Sequence, residues 1–254
     1  MAKATIKSPH EIELMKESCR IVAEVLRLIR QMVRPGLLTR EIDEMAEDFI
    51  RSQNAEPAFK GYGSNKRNLF PASVCVSVDD QVVHGIPGNR KLYEGDIVSI
   101  DVGVKKNNFY GDGAWTFPVG KISEGKSRLL KTAEESLYKG IDQAHAGNHV
   151  HDISAAVQRH VESEGFSVVR ELVGHGVGRS LHEDPAVPNY GRQGTGMLLC
   201  NGMTLAIEPM VNAGTYEVCI DPDGWTVRTA DGMPSAHFEH TVLVTNGDSV
   251  ILTM

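Results

Sequence analysis

Apolar residues recur at helical spacing soon after the N-terminus. Ile12, Met15, Cys19, Val22, Leu26 and Ile29 share one face of a predicted helix. Ser8-Pro9-His10-Glu11 ahead of them reads as a capping box with Pro at the first helical position, and Pro35-Gly36 stops the helix. Thr39 is expected to cap a second helix that buries Ile42, Met45, Ala46, Phe49 and Ile50. A loop rich in Gly, Asn and aromatics follows from Gly61 to Pro71, then strand-like runs over Val74 to Val78 and Ile97 to Val104. The second half repeats this order. Helices are expected from about Ser127 to Ala146 and from about Asp152 to Glu164, ended by Gly147 and Gly165. Strand-like runs follow around Val168 to Val173, Met203 to Val211 and His237 to Thr245.

The repetition can be aligned. Gly36, Glu41, Ile42, Met45, Ala46 and Ile50 correspond at one constant offset to Gly147, Asp152, Ile153, Ala156, Val157 and Val161. Gly95 to Asp101 lies in the same way over Gly202 to Glu208. This predicts an α+β chain built as a duplicated helix-helix-sheet unit, closing as one pseudo-symmetric domain over residues 1–254, with halves at about 8–120 and 127–250.

The aligned strands carry the first chemistry. Side chains alternate across a strand, so Val98, Ile100, Val102 and Val104 share one face while Asp101 projects from the other between Ser99 and Gly103. Leu205-Ala206-Ile207-Glu208 presents Glu208 in the same manner. An isolated buried carboxylate is costly and tends to protonate; a bound cation would keep both ionised. Asp112 follows a turn-like Asn107-Asn108, Glu239 lies in Ala236 to Val242, and His175 sits among glycines that allow close approach. His182 comes seven residues later, and His84 opens His84-Gly85-Ile86-Pro87. Four carboxylates and one imidazole suit two divalent ions bridged by carboxylates and water, about 3.5–4 Å apart, rather than structural zinc. Asp80, Glu94 and Asp96 read as solvated turn charges, His240 as a structural residue facing away from Glu239, and His145, His149, His151 and His160 as surface residues.

Composition narrows the class. A net charge of −7 argues against nucleic acid as the main partner. The four cysteines form no C-x-x-C pair, which points to thiols in a reducing compartment. No apolar run approaches the roughly 20 residues needed to span a bilayer, and the N-terminus is unlike a signal peptide. A soluble cytoplasmic protein is expected.

Taken together, Val83-His84-Gly85-Ile86-Pro87, Asp96 to Val102, Gly111-Asp112, Gly174 to Gly178, His182-Glu183-Asp184-Pro185, Ile207-Glu208-Pro209-Met210 and Glu239-His240-Thr241 resemble the motifs of type I methionine aminopeptidases. The resemblance covers nearly the whole chain and implies the pita-bread fold, with pseudo-symmetric halves around a central antiparallel sheet. It implies that Asp101, Asp112 and Glu239 hold one divalent cation and that Asp112, His175, Glu208 and Glu239 hold the other, with Mn²⁺, Fe²⁺, Co²⁺ and Zn²⁺ all admissible. A hydroxide-like water bridging them would be the nucleophile. Glu208 would relay its proton to the leaving amine. The substrate's α-amine would bind on the Asp101 side. His182 would stabilise the oxyanion, and His84 would contact the scissile amide and help position Glu208. Tyr62, Phe70, Cys75 and Trp225, with Phe59 and Leu181 nearby, match the apolar pocket for the methionine thioether, and small second residues are preferred. Nascent chains, transient ribosome contact and a monomeric state are the further expectations.

Three departures are local. Tyr62 and Phe70 are eight apart where the family has its two aromatics three apart, so five residues are inserted. Phe70 and Leu181 replace the usual Tyr and Phe. His237 stands where Gln is usual, which bears on a monovalent-cation site near Asp79, Gln81 and Ser235. Two alternatives share the fold: an Xaa-Pro peptidase, which normally carries an extra N-terminal domain, and a non-catalytic binding module, which loses metal ligands. Type II enzymes carry a helical insertion between the His and Glu ligands that the short stretch from His175 to Glu208 lacks. The resemblance is to the short bacterial form, which is expected to lack the N-terminal zinc-finger extension of some eukaryotic members.

Overall fold

The computed structural model describes residues 4–254; residues 1–3 of the expected domain lie outside the described residues. Helix α1 spans Pro9–Met32. Its capping box forms as expected: the Glu11 carboxylate accepts from Ser8 N at 2.8 Å, and Ser8 Oγ accepts from Glu11 N at 3.4 Å. Its buried face carries Met15, Cys19, Val22, Leu26 and Ile29, joined by Ile21 and Val25. Each such aliphatic side chain removed from water contributes about 1.5–3 kcal/mol.

Helix α2 spans Thr39–Ser52. Thr39 is its first helical residue and not its cap, which corrects the expectation. Leu38 holds the cap position, and Glu41 reaches back to accept from Leu38 N at 2.8 Å. The Thr39 hydroxyl is engaged elsewhere, accepting from Gly88 N at 2.9 Å and donating to Gly88 O at 3.1 Å. Helix α3 spans Glu124–Ile141, starting ahead of the apolar pattern because Ser123 Oγ caps it by accepting from Lys126 N. It also ends earlier than expected, and residues 142–146 turn instead. Helix α4 spans Val150–Ser163.

Two antiparallel sheets form the floor. One holds Cys75–Val78, Ile97–Lys106 and Phe109–Pro118, with Glu56–Pro57 at its edge. The long pair is a hairpin turned by Asn107 and Asn108, both at positive φ (51° and 64°), as a two-residue turn of matching twist requires. The other sheet orders its strands Val250–Ile251, His240–Leu243, Thr204–Ile207, Val173–Gly176 and Glu183–Pro188. Glu239 N donates to Ala114 O at 2.9 Å, and Ala114 N donates to Glu239 O at 3.4 Å. These bonds stitch the two sheets into one antiparallel surface.

Three runs expected to be continuous are broken. Met203 to Val211 divides into Thr204–Ile207 and Met210–Asn212, His237 to Thr245 into Ser235–His237 and His240–Leu243, and Val168 to Val173 into Ser167–Val168 and Val173–Gly176. The first break falls at Glu208-Pro209, where proline has no N–H to give a ladder. The second falls at Phe238-Glu239, where the Glu239 backbone turns to Ala114.

Local features of the two halves coincide. Gly36 N donates to Leu92 O and Gly147 N to Leu199 O. Leu38 bridges Lys91 as His149 bridges Leu198. Gly36 and Gly147 have φ of 94° and 96°, and Gly95 and Gly202 have φ of 93° and 90°. One core packs α1 and α2 on the first sheet, the other packs α3 and α4 on the second, and Trp115 touches both. Among the described residues no helix is long and apolar enough to cross a membrane. The cysteines are unpaired.

Candidate active site

The strand period places the first two carboxylates. In the hairpin Asp101 opposes Ala114 and Asp112 opposes Gly103, so the two acids are diagonal neighbours on one face. His175 opposes Ala206 and Ala186, two small residues that leave room for its ring. Its glycine neighbours are required by close packing. A Cβ on Gly174 would stand 2.4 Å from Ala206 O, and one on Gly176 would stand 2.3 Å from Asp184 O. Glu208 and Glu239 enter from the two strand breaks, and Glu239 is held there by its backbone pairing with Ala114.

The four carboxylates and the imidazole converge. His175 Nε2 lies 3.5 Å from Glu208 Oε1 and 3.8 Å from Asp112 Oδ2. Ligand atoms of Asp112, His175 and Glu239 all fall within 4.8 Å of one another. The His175 Nδ1 contacts Gly176 O at 2.9 Å, so Nδ1 carries the proton and Nε2 keeps a lone pair. Asp112 and Glu239 are 3% and 2% exposed. Asp101 Oδ1, Asp112 Oδ1 and Glu239 Oε1 are buried without any hydrogen-bond partner.

Burial has a clear electrostatic result. It pushes the Asp101 carboxyl up to about 7, with the Glu208 charge adding to the effect, and pushes Glu208 up to about 8. Burial, then neighbouring carboxylates, hold Asp112 and Glu239 well above the usual carboxylate range. Burial pushes the His175 imidazole down to about 3 and His84 down to about 4. Crowded acids with orphaned oxygens beside a neutral imidazole are a donor set for divalent cations.

The remaining residues named by the sequence line the same cavity, of about 120 Å³. Phe59, Phe70, Cys75 and Leu181 pack as one apolar cluster, with Trp225 against it. Phe70 meets the Trp225 ring edge-on at 5.3 Å. His84 also meets that indole edge-on, with ring centroids 6.4 Å apart. It adopts φ of 57°, a strained position for a residue with a side chain. The following Gly85 lets this turn press on the first sheet, since a Cβ there would lie 2.2 Å from Val76 O. His182 and Tyr62 stand exposed at the mouth. Tyr62 Oη is 2.6 Å from His182 Nδ1, and the His182 ring packs on His175 at 4.2 Å.

The lengthened loop does not separate its two aromatics. Phe70 N donates to Tyr62 O at 2.9 Å and Gly61 N to Phe70 O at 2.8 Å, closing the loop at its base. Asn68 Nδ2 ties its tip to Asp223 O at 3.2 Å.

Comparison with known proteins now decides the family. The model of metallopeptidase family M24 matches residues 13–246. A methionine aminopeptidase of Clostridium perfringens is 52% identical over 250 residues, covering 98% of both chains. Methionine aminopeptidase 1 of Bacillus subtilis is 52% identical over 247 residues, covering 97% of this chain and 98% of its own. The chain belongs to metallopeptidase family M24, among its type I methionine aminopeptidases. The crystal structure of the methionine aminopeptidase of Thermotoga maritima superposes with a TM-score of 0.95 at 46% identity, covering 99% of both chains. The fold of this M24 enzyme is therefore the pita-bread fold. A prolidase of Pyrococcus furiosus shares the fold with a TM-score of 0.79 at 22% identity, and this chain spans 65% of it.

Other sequence expectations divide. His240 is buried; its Nδ1 contacts Thr253 Oγ1, and its ring packs near Trp115 and Tyr138. Asp80 is more than a solvated turn charge, since Arg228 holds it at 2.8 Å. His160 and His151 are partly covered, the first against Glu135 and the second against Thr195. Near the expected monovalent-cation site, Ser235 N donates to Asp79 O at 2.9 Å, and Lys126 Nζ lies 2.5 Å from Asp79 Oδ1. The sequence undervalued one residue. His237, read only as a departure from the family, reaches Glu208 with Nε2 3.4 Å from Oε2. Alternation from Glu239 back through His237 to Ser235 was the available signal.

Proposed function

We propose that this enzyme removes the N-terminal methionine from peptides and nascent proteins whose second residue is small. One observation carries the assignment: four carboxylates, three of them with an orphaned oxygen, and the His175 imidazole open onto an aromatic, apolar wall. Asp101, Asp112 and Glu239 hold one divalent cation, and Asp112, His175, Glu208 and Glu239 hold a second, drawn from Mn²⁺, Fe²⁺, Co²⁺ or Zn²⁺. Bound there, such cations polarise the scissile carbonyl and lower the pKa of the attacking water.

The protein supplies the rest. Glu208 takes the proton from the attacking water and passes it to the leaving amine. A Tyr62 hydroxyl donating to His182 Nδ1 leaves the proton on Nε2, which donates to the oxygen of the tetrahedral intermediate. His84 meets the scissile amide and helps to position Glu208. The α-amine lies toward Asp101, which limits cleavage to the first residue. Phe59, Tyr62, Phe70, Cys75, Leu181 and Trp225 receive the polarizable thioether.

The enzyme acts in the cytoplasm as a monomer and meets nascent chains at the ribosome in passing. The same proposal includes a monovalent cation near Asp79, Gln81 and Ser235, where Asp79 already has the Lys126 ammonium as counter-charge. It treats residues 1–254 as one catalytic domain of two duplicated halves, about 8–120 and 127–250. The matching bridges and glycine torsions of the halves support this.

Hydrolysis of Met-Xaa-Ser peptides by metal-free protein, before and after addition of Mn²⁺, Fe²⁺ or Co²⁺, tests the assignment. Cleavage should require metal and fall as Xaa grows. Cleavage of Gly-Pro substrates with none of Met-Ala-Ser would replace it with an Xaa-Pro peptidase.

A further inference from the structure

His237 occupies a position that the five-ligand set does not use. It ends the strand Ser235–His237 and is 1% exposed. Its backbone is fixed from both sides: N donates to Thr116 Oγ1 at 2.9 Å, and O accepts from that hydroxyl at 2.8 Å. Met210 opposes it across the strand pair. The side chain therefore has little freedom to move. Yet Nε2 is buried without a hydrogen-bond partner, a condition that destabilises the fold unless another atom engages the nitrogen.

The surroundings say what the nitrogen lacks. Glu208 lies between two imidazoles. Its Oε1 is 3.5 Å from His175 Nε2 and its Oε2 is 3.4 Å from His237 Nε2. A charge-assisted hydrogen bond would be about 2.7–2.9 Å, and neither contact is one. Two atoms about 2.1 Å from a common cation in tetrahedral array stand about 3.4 Å apart. Ligand atoms of Glu208, His237 and Glu239 fall within 4.8 Å of one another, as do those of Asp112, His175 and Glu239.

We propose that His237 Nε2 is a second nitrogen ligand of the metal centre, joining Glu208 and Glu239 on the cation that His175 also serves. The assignment rests on the site holding divalent cations, as proposed above. It gives that position a second imidazole, which favours Zn²⁺, Co²⁺ and Fe²⁺ over Mn²⁺ there. The residue that distinguishes this chain from the usual glutamine would thus set its metal preference.

The test uses full-length enzyme with ¹⁵N-labelled histidine, stripped of metal and given Zn²⁺ up to two equivalents. Long-range ¹H–¹⁵N spectra follow the ring nitrogens, with calorimetry in parallel. Two of the ten histidines should show Nε2 shifts of coordination, and only one in His237→Gln. In that variant one of the two Zn²⁺ ions should bind at least about tenfold more weakly. A wild-type spectrum in which only His175 shifts overturns the proposal, and so does unchanged affinity for both ions in His237→Gln. The wild-type count decides even if the variant does not fold. Failure to take up Zn²⁺ at all would instead bring down the two-cation reading, and this assignment with it.

Discussion

Asp112 and Glu239 meet the strictest conditions in the site, since each is buried, crowded by other acids and left with an oxygen unpaired. Asp112→Ala or Glu239→Ala should abolish hydrolysis of Met-Ala-Ser and reduce bound metal in elemental analysis. Substantial turnover by Asp112→Ala would contradict the shared-ligand role. His182→Ala should lower kcat by about 10²-fold or more with metal content unchanged, as for loss of an oxyanion donor. Tyr62→Phe removes only the hydroxyl at His182 Nδ1, a bond of about 1–1.5 kcal/mol. It should reduce kcat by roughly 5–10-fold; an unaltered kcat would show that the imidazole needs no such support. At this scale the sequence was informative, because an acid within an apolar strand is conspicuous wherever it falls. His237 escaped because an imidazole beside a core phenylalanine looks structural until its distance to Glu208 is known.

Elements were legible where a local cap or period determines them. Ser8 and Glu11 announced α1, and Asn107-Asn108 read as a turn, although the strand that follows it, Phe109–Pro118, was not among the expected runs. The apolar pattern runs through the strand breaks at Glu208-Pro209 and Phe238-Glu239. The first has a local signal in Pro209 that the expected run passed over, whereas the second is imposed from outside by Ala114, on a strand more than a hundred residues earlier. The same distinction governs the lengthened loop. Its base is closed by backbone bonds between Gly61, Tyr62 and Phe70, so its tip is not needed to hold the aromatics together. Deletion of residues 64–68 leaves Tyr62-Gly63-Leu69-Phe70 and should keep kcat/KM for Met-Ala-Ser within about threefold, well under 1 kcal/mol. A loss above tenfold would show that the tip shapes the pocket.

For the molecule as a whole, the acidic cluster makes stability depend on pH and metal. Asp101 and Glu208 have folded pKa values near 7 and 8, above about 4 in an unfolded chain. The folded state therefore binds more protons between those limits, and these groups subtract stability as pH rises. His84 and His175 act oppositely, but only below about 6.5, where an unfolded histidine protonates. From pH 6.5 to 8 the carboxylates act without that opposition. Metal-free enzyme should lose up to about 1.4 kcal/mol per pH unit for each extra proton held by the fold. Its Tm should fall across that interval, and saturating Mn²⁺ should remove the slope. A flat metal-free profile would mean that the acids are ionised without a cation. The duplicated plan was visible at this scale in the sequence offsets, whereas the join between the halves depends on pairings no local pattern contains.

The two tryptophans divide the molecule in a way that can be seen optically. Trp115 lies where both cores meet, and Trp225 lines the apolar side of the cavity beside Phe70 and His84. With only two indoles in the chain, fluorescence from Trp115→Phe protein would come from the pocket alone. A bound methionine sulfur would quench it, and the dwell time of a peptide could be timed from the recovery of light. Emission from Trp225→Phe protein would stay constant through the same event and change only when the halves part.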